Sequence, residues 1–241
     1  MENTEKRLDA ILEKTQTEVR KMIIYTIRHG ETEGNAEGRL QGWVDGKLNE
    51  NGIALAKETA AAVKAAGIHF DECFSSPLSR AADTAHILLS ESGNENVPVH
   101  YDERLKEADV GGWDNMLMTD VKDFMWKYLT DPFGLTKEEM RGGETMQETC
   151  SRTQSFLKEL IARNDDRTYL VSTHGCAVRA MCDFLYDDNS RDFWRGMLPL
   201  NCSMNIIEVK DGKAVLLEQD HVWYDRSKSV DHYSIRRFQQ Q

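Results

Sequence analysis

The sequence is short of several features that would assign it quickly. It has no run of about 18 consecutive apolar residues, so no membrane-spanning helix is expected. Its first residues, MENTEKRLDAILEKTQ, are charged where a secretion signal would be apolar. Basic charge is scarce: 30 Lys and Arg against 41 Asp and Glu leave a net charge of −11 over 241 residues. A net anion is repelled by nucleic acid and by anionic membrane, so neither is an expected partner. The five cysteines (Cys73, Cys150, Cys176, Cys182, Cys202) are odd in number and have no CxxC spacing. Neither a disulfide framework nor a zinc ribbon is indicated, and the thiols read as small buried hydrophobes in a reducing cytoplasm. There is no internal repeat, low-complexity tract or linker that would split the chain.

Residues 1–21 read as an amphipathic helix, with Leu8, Ile11, Leu12, Thr15 and Val19 at helical spacing. Such a stripe packs on the outside of the domain or serves as a homodimer contact. The segment MIIYTI (22–27) is a continuous apolar run, the mark of a buried strand. An Ala-rich helix follows over about 51–66, capped by Asn49 or Asn51 and stopped at Gly67. Then come a strand at 70–76, a helix from Pro77 to about Leu89, and a short strand at 97–101. A Met- and aromatic-rich stretch covers 114–143. A strong helix spans 144–163, a strand 167–173 and a helix 175–186. A hairpin closes the series, with Asp211-Gly212 between two apolar runs. Strands alternating with helices predict an α/β fold: a three-layer α/β/α sandwich, its sheet mostly parallel with helices on both faces. The expected organisation is one catalytic domain over 22–241, with a helical cap insertion at 114–143, behind the N-terminal helix of 1–21.

In open parallel sheets, ligands sit at the carboxyl ends of the strands. The first strand is followed by Arg28-His29-Gly30-Glu31-Thr32, the second by Ser75-Ser76-Pro77 and then Arg80, and the 167–173 strand by His174-Gly175. Each strand end offers a guanidinium or an imidazole, and together they make an anion-seeking pocket inside an acidic body. Arg28 and Arg80 carry planar forks that match phosphoryl oxygens. Asn35 adds an amide hydrogen, and the helix starting at Gly175 adds backbone N–H groups and a positive dipole end. No cysteine lies in a C-x5-R loop; Cys176 is followed by Arg179 only three residues later. The nucleophile is therefore read as His29, kept neutral by the flanking arginines. His174 would steady the transferring oxygens, and Glu107, in RLKEADVGGW, would give the leaving oxygen its proton and then activate water.

These stretches resemble the histidine phosphatase superfamily, the phosphoglycerate mutase-like family. The matching residues are Tyr25 to Glu31 (YTIRHGE), Leu40-Gln41-Gly42-Trp43, Ser75 to Arg80, and Arg104 to Glu107 with Gly111-Gly112-Trp113. Gly142-Gly143-Glu144-Thr145 and Ser172-Thr173-His174-Gly175 complete the set, in family order from 22 to about 225. The resemblance implies His29 as the phosphorylated nucleophile and Glu107 as proton donor. It implies that Arg28, Asn35, Arg80 and His174 hold the phosphoryl group, with Thr32 and Gln41 on the substrate side. It calls for no metal and no cofactor, and for a small phosphorylated molecule as substrate.

The chain departs from the family pattern in three places. Mutases usually read E-R-H-Y-G at the acidic residue, whereas Glu107 is followed by Ala108, Asp109, Val110 and Gly111. The paired arginines that hold a phosphoglycerate carboxylate in mutases have no counterpart in 114–143, and residues 1–21 precede the usual start. The expectation is a metal-independent phosphatase of small soluble phosphomonoesters. A cofactor-dependent phosphoglycerate mutase is the alternative, and a non-catalytic binder of phosphorylated metabolites ranks below both. A metallohydrolase built on His29, His174 and Glu107 is disfavoured because Arg28 would repel a dication.

Overall fold

The computed structural model describes residues 21–186, 192–195 and 198–229. The N-terminal helix expected over 1–21 falls outside them except for Lys21, which is the first residue of a strand. The elements run β1 (Lys21–Arg28), α1 (Glu33–Ala36), α2 (Glu50–Ala65), β2 (Glu72–Ser75), α3 (Ser79–Ser92) and β3 (Val99–Tyr101). They continue with α4 (Lys122–Thr130), α5 (Met146–Ile161), β4 (Thr168–Thr173), α6 (Gly175–Cys182), β5 (Met204–Lys210) and β6 (Lys213–His221).

The six strands form one sheet in the order β3-β2-β4-β1-β5-β6. The first four are mutually parallel, and β5 and β6 add an antiparallel hairpin. Both residues of its turn, Asp211 and Gly212, have positive φ, as a two-residue hairpin loop requires. Strand side chains alternate between faces. Met22 and Ile24 of β1, with Tyr169 and Val171 of β4, pack against Phe156, Leu157 and Met181 of α5 and α6. On the opposite face Ile27 and Leu170 pack against Leu55, Ala60 and Val63 of α2 and Leu88 of α3. The mixed α/β sandwich expected from the alternation is the observed fold.

Sheet order places the site. β1 and β4 are neighbours in register, with Arg28 opposite Thr173. The chain leaves β1 for the α2 face and leaves β4 for the α6 face, so a crevice opens at their carboxyl ends. His29 and His174 are the next residue on each strand.

Some boundaries differ from the sequence reading. The helix expected to begin at Pro77 begins at Ser79, and its first turn is capped from a distant loop: Asp45 accepts from the Ser79 N–H and hydroxyl, each at 2.9 Å. It runs three residues past Leu89 and ends at Gly93, whose φ of 81° suits glycine. The helix expected to reach 186 changes to a tighter turn after Cys182. The insertion holds one α-helix, α4, between 3-10 turns at Met118–Asp120 and Pro132–Gly134. Its Met and aromatic residues build a third core: Met118, Phe124, Met125 and Tyr128 pack with Leu40, Met146 and Trp194.

One backbone contact joins the loop after β1 to α2. A Cβ at Gly52 would lie 2.1 Å from the Glu31 carbonyl oxygen. In an ordinary helix, glycine to alanine gains about 1 kcal/mol. Here Gly52→Ala should instead destabilise by about 1–3 kcal/mol through overpacking. Urea unfolding checks this; a midpoint above wild type would contradict it.

Candidate active site

Because β1 ends in the crevice, the His29 backbone N–H is held by the Thr173 carbonyl at 2.9 Å, which locks it to β4. The His29 ring is almost completely buried. Its Nδ1 lies 2.7 Å from the Gly30 carbonyl oxygen. A carbonyl only accepts, so Nδ1 carries the proton and Nε2 carries the lone pair. Burial, then the Arg80 and Arg28 charges, hold the imidazolium well below its usual range. His29 is thus a neutral imidazole of defined tautomer, a competent nucleophile.

Arg28 and His29 line one cleft together with Asn35, Gln41 and Glu107. Asn35 Nδ2 donates to Gln41 Oε1 at 3.1 Å, and the Thr32 hydroxyl donates to the same oxygen at 2.6 Å. Thr32 is fully buried, so it orients Gln41 from behind instead of facing the cleft.

Arg80 and His174 are fully buried beside His29, with the two imidazole centroids 5.2 Å apart. Neither lines the cleft. Arg80 donates to the carbonyls of Val44 (3.1 Å) and Gly42 (2.7 Å), and its Nε donates to His174 Nδ1 at 3.2 Å. His174 Nε2 then bears the proton and donates to the Ser76 hydroxyl at 2.8 Å. Burial and the Arg80 charge hold this imidazole neutral as well. The phosphoryl-holding role read for these two from the sequence therefore requires exchanging those bonds for bonds to the phosphoryl oxygens.

The N-terminus of α6 meets a protein carboxylate. Two of its N–H groups, those of Cys176 and Ala177, are turned on Glu107. Cys176 N–H donates to its Oε2 at 3.2 Å, and Ala177 N–H to its Oε1 at 2.9 Å. Gly175 contributes space: a Cβ there would lie 2.6 Å from Leu198 and 3.4 Å from Arg28 Nε. Burial pushes the Glu107 carboxyl above its usual pKa, while the N–H donors and Arg80 pull against that shift. The net upward displacement suits a group that gives up a proton and then takes one back.

Two supporting residues were not singled out from the sequence. Arg152, on α5, donates to the carbonyls of Arg104 (2.8 Å), Lys106 (2.9 Å) and Glu107 (3.1 Å). It also forks onto Glu144, which accepts from the Asp109 N–H at 3.1 Å. The loop bearing Glu107 is held on both sides of that residue. Asn201 donates to the His29 carbonyl at 3.0 Å and to Asn35 Oδ1 at 3.2 Å, joining the His29 backbone to the Asn35 amide. Neither residue lies at a strand end. Asn201 did carry a weak signal, a polar residue between the apolar run at 198–200 and the hairpin strand.

Both histidines are neutral when folded and have an ordinary value of 6.5 when unfolded. Below about pH 6.5 the unfolded chain takes up protons that the folded chain refuses. Their contribution is complete above that pH and is lost as the pH falls. Unfolding free energy should drop by about 1 kcal/mol per histidine between pH 7.5 and 5.5. His29→Ala should show a correspondingly smaller drop in urea titrations at the two pH values. An unchanged drop would contradict the neutral assignment.

Among the described residues, no group of three or more His, Cys, Asp or Glu side chains is arranged to hold a metal ion, and no helix is long and apolar enough to cross a membrane. Residues 24–221 match the family model for the histidine phosphatase superfamily (branch 1). Phosphoserine phosphatase 1 of Hydrogenobacter thermophilus is 33% identical over 198 residues, covering 80% of this chain and 89% of that protein. A 2,3-bisphosphoglycerate-dependent phosphoglycerate mutase of Methylobacterium sp. is 33% identical over 166 residues, covering 66% of this chain and 78% of that protein. The crystal structure of phosphoglycerate mutase from Bacillus anthracis superposes with a TM-score of 0.73 at 19% identity, covering 93% of this chain and 100% of that one. The fold, the ordered motifs and the family match agree: the chain belongs to the histidine phosphatase superfamily.

Proposed function

We propose that the chain is a metal-independent phosphatase that hydrolyses small soluble phosphomonoesters through a phosphohistidine on His29. The observation that carries this reading is the neutral His29 ring, its Nδ1 proton fixed on the Gly30 carbonyl, sharing a cleft with Arg28 and Glu107. Nε2 attacks phosphorus in line, and the bond to the leaving oxygen breaks. Glu107, protonated at that moment, gives its proton to the leaving alkoxide. The resulting carboxylate takes a proton from a water molecule that attacks the phosphohistidine, which restores His29 and releases phosphate. Arg28 offsets charge on the phosphoryl oxygens, and Arg80 and His174 join it once they exchange their protein partners. A dication among these arginines would be repelled, which supports chemistry without a metal. All five cysteines are free, buried thiols, consistent with a reducing cytoplasm.

A mutase reading draws on the phosphoglycerate mutases among the relatives. Against it stands the run Ala108-Asp109-Val110-Gly111 after the acid, where mutases usually carry Arg and Tyr. The test is to trap the intermediate and assay a panel of phosphomonoesters with and without chelator. The expected phosphoenzyme is labile in acid, stable in alkali and absent in His29→Ala, and turnover is indifferent to chelator. Chelator-sensitive turnover with no phosphoenzyme would overturn the proposal. Isomerisation of 3-phosphoglycerate, primed with the bisphosphorylated form and outrunning hydrolysis, would replace hydrolase by mutase.

Glu107→Gln should lose about 10²–10⁴-fold in kcat on alkyl phosphates and far less on nitrophenyl phosphate, whose leaving group needs no proton. Equal losses on both would remove Glu107 from the acid role.

A further inference from the structure

The loop after Gln41 touches both an arginine of the phosphoryl site and the proton donor. Gly42 and Val44 give their carbonyls to Arg80, at 2.7 and 3.1 Å. Their N–H groups go to the Asp114 carboxylate, at 2.9 and 2.7 Å. The backbone on either side of Trp43 is thus pinned from two directions. A Cβ at Gly42 would lie 2.8 Å from Val110 Cγ2 and 3.0 Å from the Ala108 carbonyl oxygen, so the loop lies directly against the segment that follows Glu107. From that position the Trp43 indole N–H donates to the Glu107 carbonyl at 2.8 Å.

Packing alone does not account for this tryptophan. Trp43 is 40% exposed and joins none of the three cores built by the described residues. The Lys106 ammonium lies over its ring at 4.6 Å. Its fixed point is the N–H. A carbonyl oxygen has two lone pairs, and Arg152 Nη2 takes the other one on Glu107 at 3.1 Å, from α5. The peptide plane of residue 107 is therefore held from two sides, which sets the direction of its Cα–Cβ bond. The carboxyl at the end of that bond meets the N–H groups of Ala108, Cys176 and Ala177. Tipping the plane would stretch those bonds and carry the acid away from the leaving oxygen. A misplacement of about 1 Å can cost roughly 10²-fold in rate.

We infer that Trp43 is a positioning residue for proton transfer: its indole N–H holds the Glu107 backbone in register with Arg80, which the adjoining Gly42 and Val44 hold. The inference rests on the phosphatase reading above and deepens it, by naming what aligns the acid with the phosphoryl site.

The experiment compares Trp43→Phe and Trp43→His, in the full chain, on benzyl phosphate and on nitrophenyl phosphate. Phenylalanine keeps the apolar ring and loses the donor. Histidine loses the benzo ring and keeps a donor, because its Nε2 occupies the ring position of the indole Nε1. The ratio kcat/KM reports the steps up to phosphoenzyme formation, in which the proton is given. Trp43→Phe should lower it about tenfold on benzyl phosphate and less than about twofold on nitrophenyl phosphate. Trp43→His should recover most of the loss on benzyl phosphate. In a Glu107→Gln background Trp43→Phe should cost nothing further on that ester, since a residue that acts through another is silent once the other is gone. No loss, equal losses on both esters, a histidine variant as slow as the phenylalanine variant, or losses that add in the double variant would each overturn the inference and leave the phosphatase reading standing. Release of phosphate from neither ester by the wild type, or turnover that survives His29→Ala, would overturn both.

Discussion

The site depends on one hydrogen bond, from His29 Nδ1 to the Gly30 carbonyl. It fixes which nitrogen holds the proton and therefore which is nucleophilic. The bond exists because the chain turns sharply as it leaves β1, and that turn is itself constrained. A Cβ at Gly30 would lie 2.6 Å from the Gly52 carbonyl oxygen, so residue 30 must lack a side chain for α2 to approach this closely. The β1–β4 register places His174 beside His29, and burial with two guanidinium groups keeps both rings uncharged. Sheet order, the glycine contact and the arginine charges thus act on the same imidazole.

Glu107 is held by opposed forces. Burial alone would raise its pKa strongly, and N–H groups from Ala108, Cys176 and Ala177 restrain that rise by stabilising the carboxylate. A carboxyl that serves first as acid and then as base has to be accessible in both forms, and opposed terms of this kind allow it. Arg152 supplies position: three carbonyls of the 104–107 loop converge on its guanidinium while Glu144 anchors the other end. The short α6 helix thus directs the Cys176 and Ala177 N–H groups at the Glu107 carboxyl.

Much of this was legible in the sequence because strand ends announce themselves. MIIYTI followed by Arg28-His29-Gly30, and YLVST followed by His174-Gly175, place chemistry at apolar-to-polar junctions that pattern reading detects. The hairpin turn was legible for the same local reason, and so was a cap at Asn49 or Asn51, which the structure places at Asn49. Long-range contacts were not. Nothing near Ser79 indicates that Asp45 caps its helix, and nothing near Arg152 indicates that it grips a loop some 45 residues away in sequence. That Cys176 and Ala177 N–H meet Glu107 was not legible, because a helix start does not say which carboxylate folds onto it. The insertion resisted reading because its 3-10 turns break periodicity, and its Met and aromatic residues serve both the third core and, at Tyr128, the cleft wall.

The central claim is that His29 is a neutral imidazole protonated at Nδ1. Long-range ¹H–¹⁵N correlation spectra of the histidine rings, assigned with His29→Ala and recorded from pH 7.5 down to 5.5, test it directly. The His29 ring should show Nδ1 protonated and Nε2 bare throughout that range. A His29 ring that takes up a second proton within that range, or that carries its proton on Nε2, would contradict this assignment.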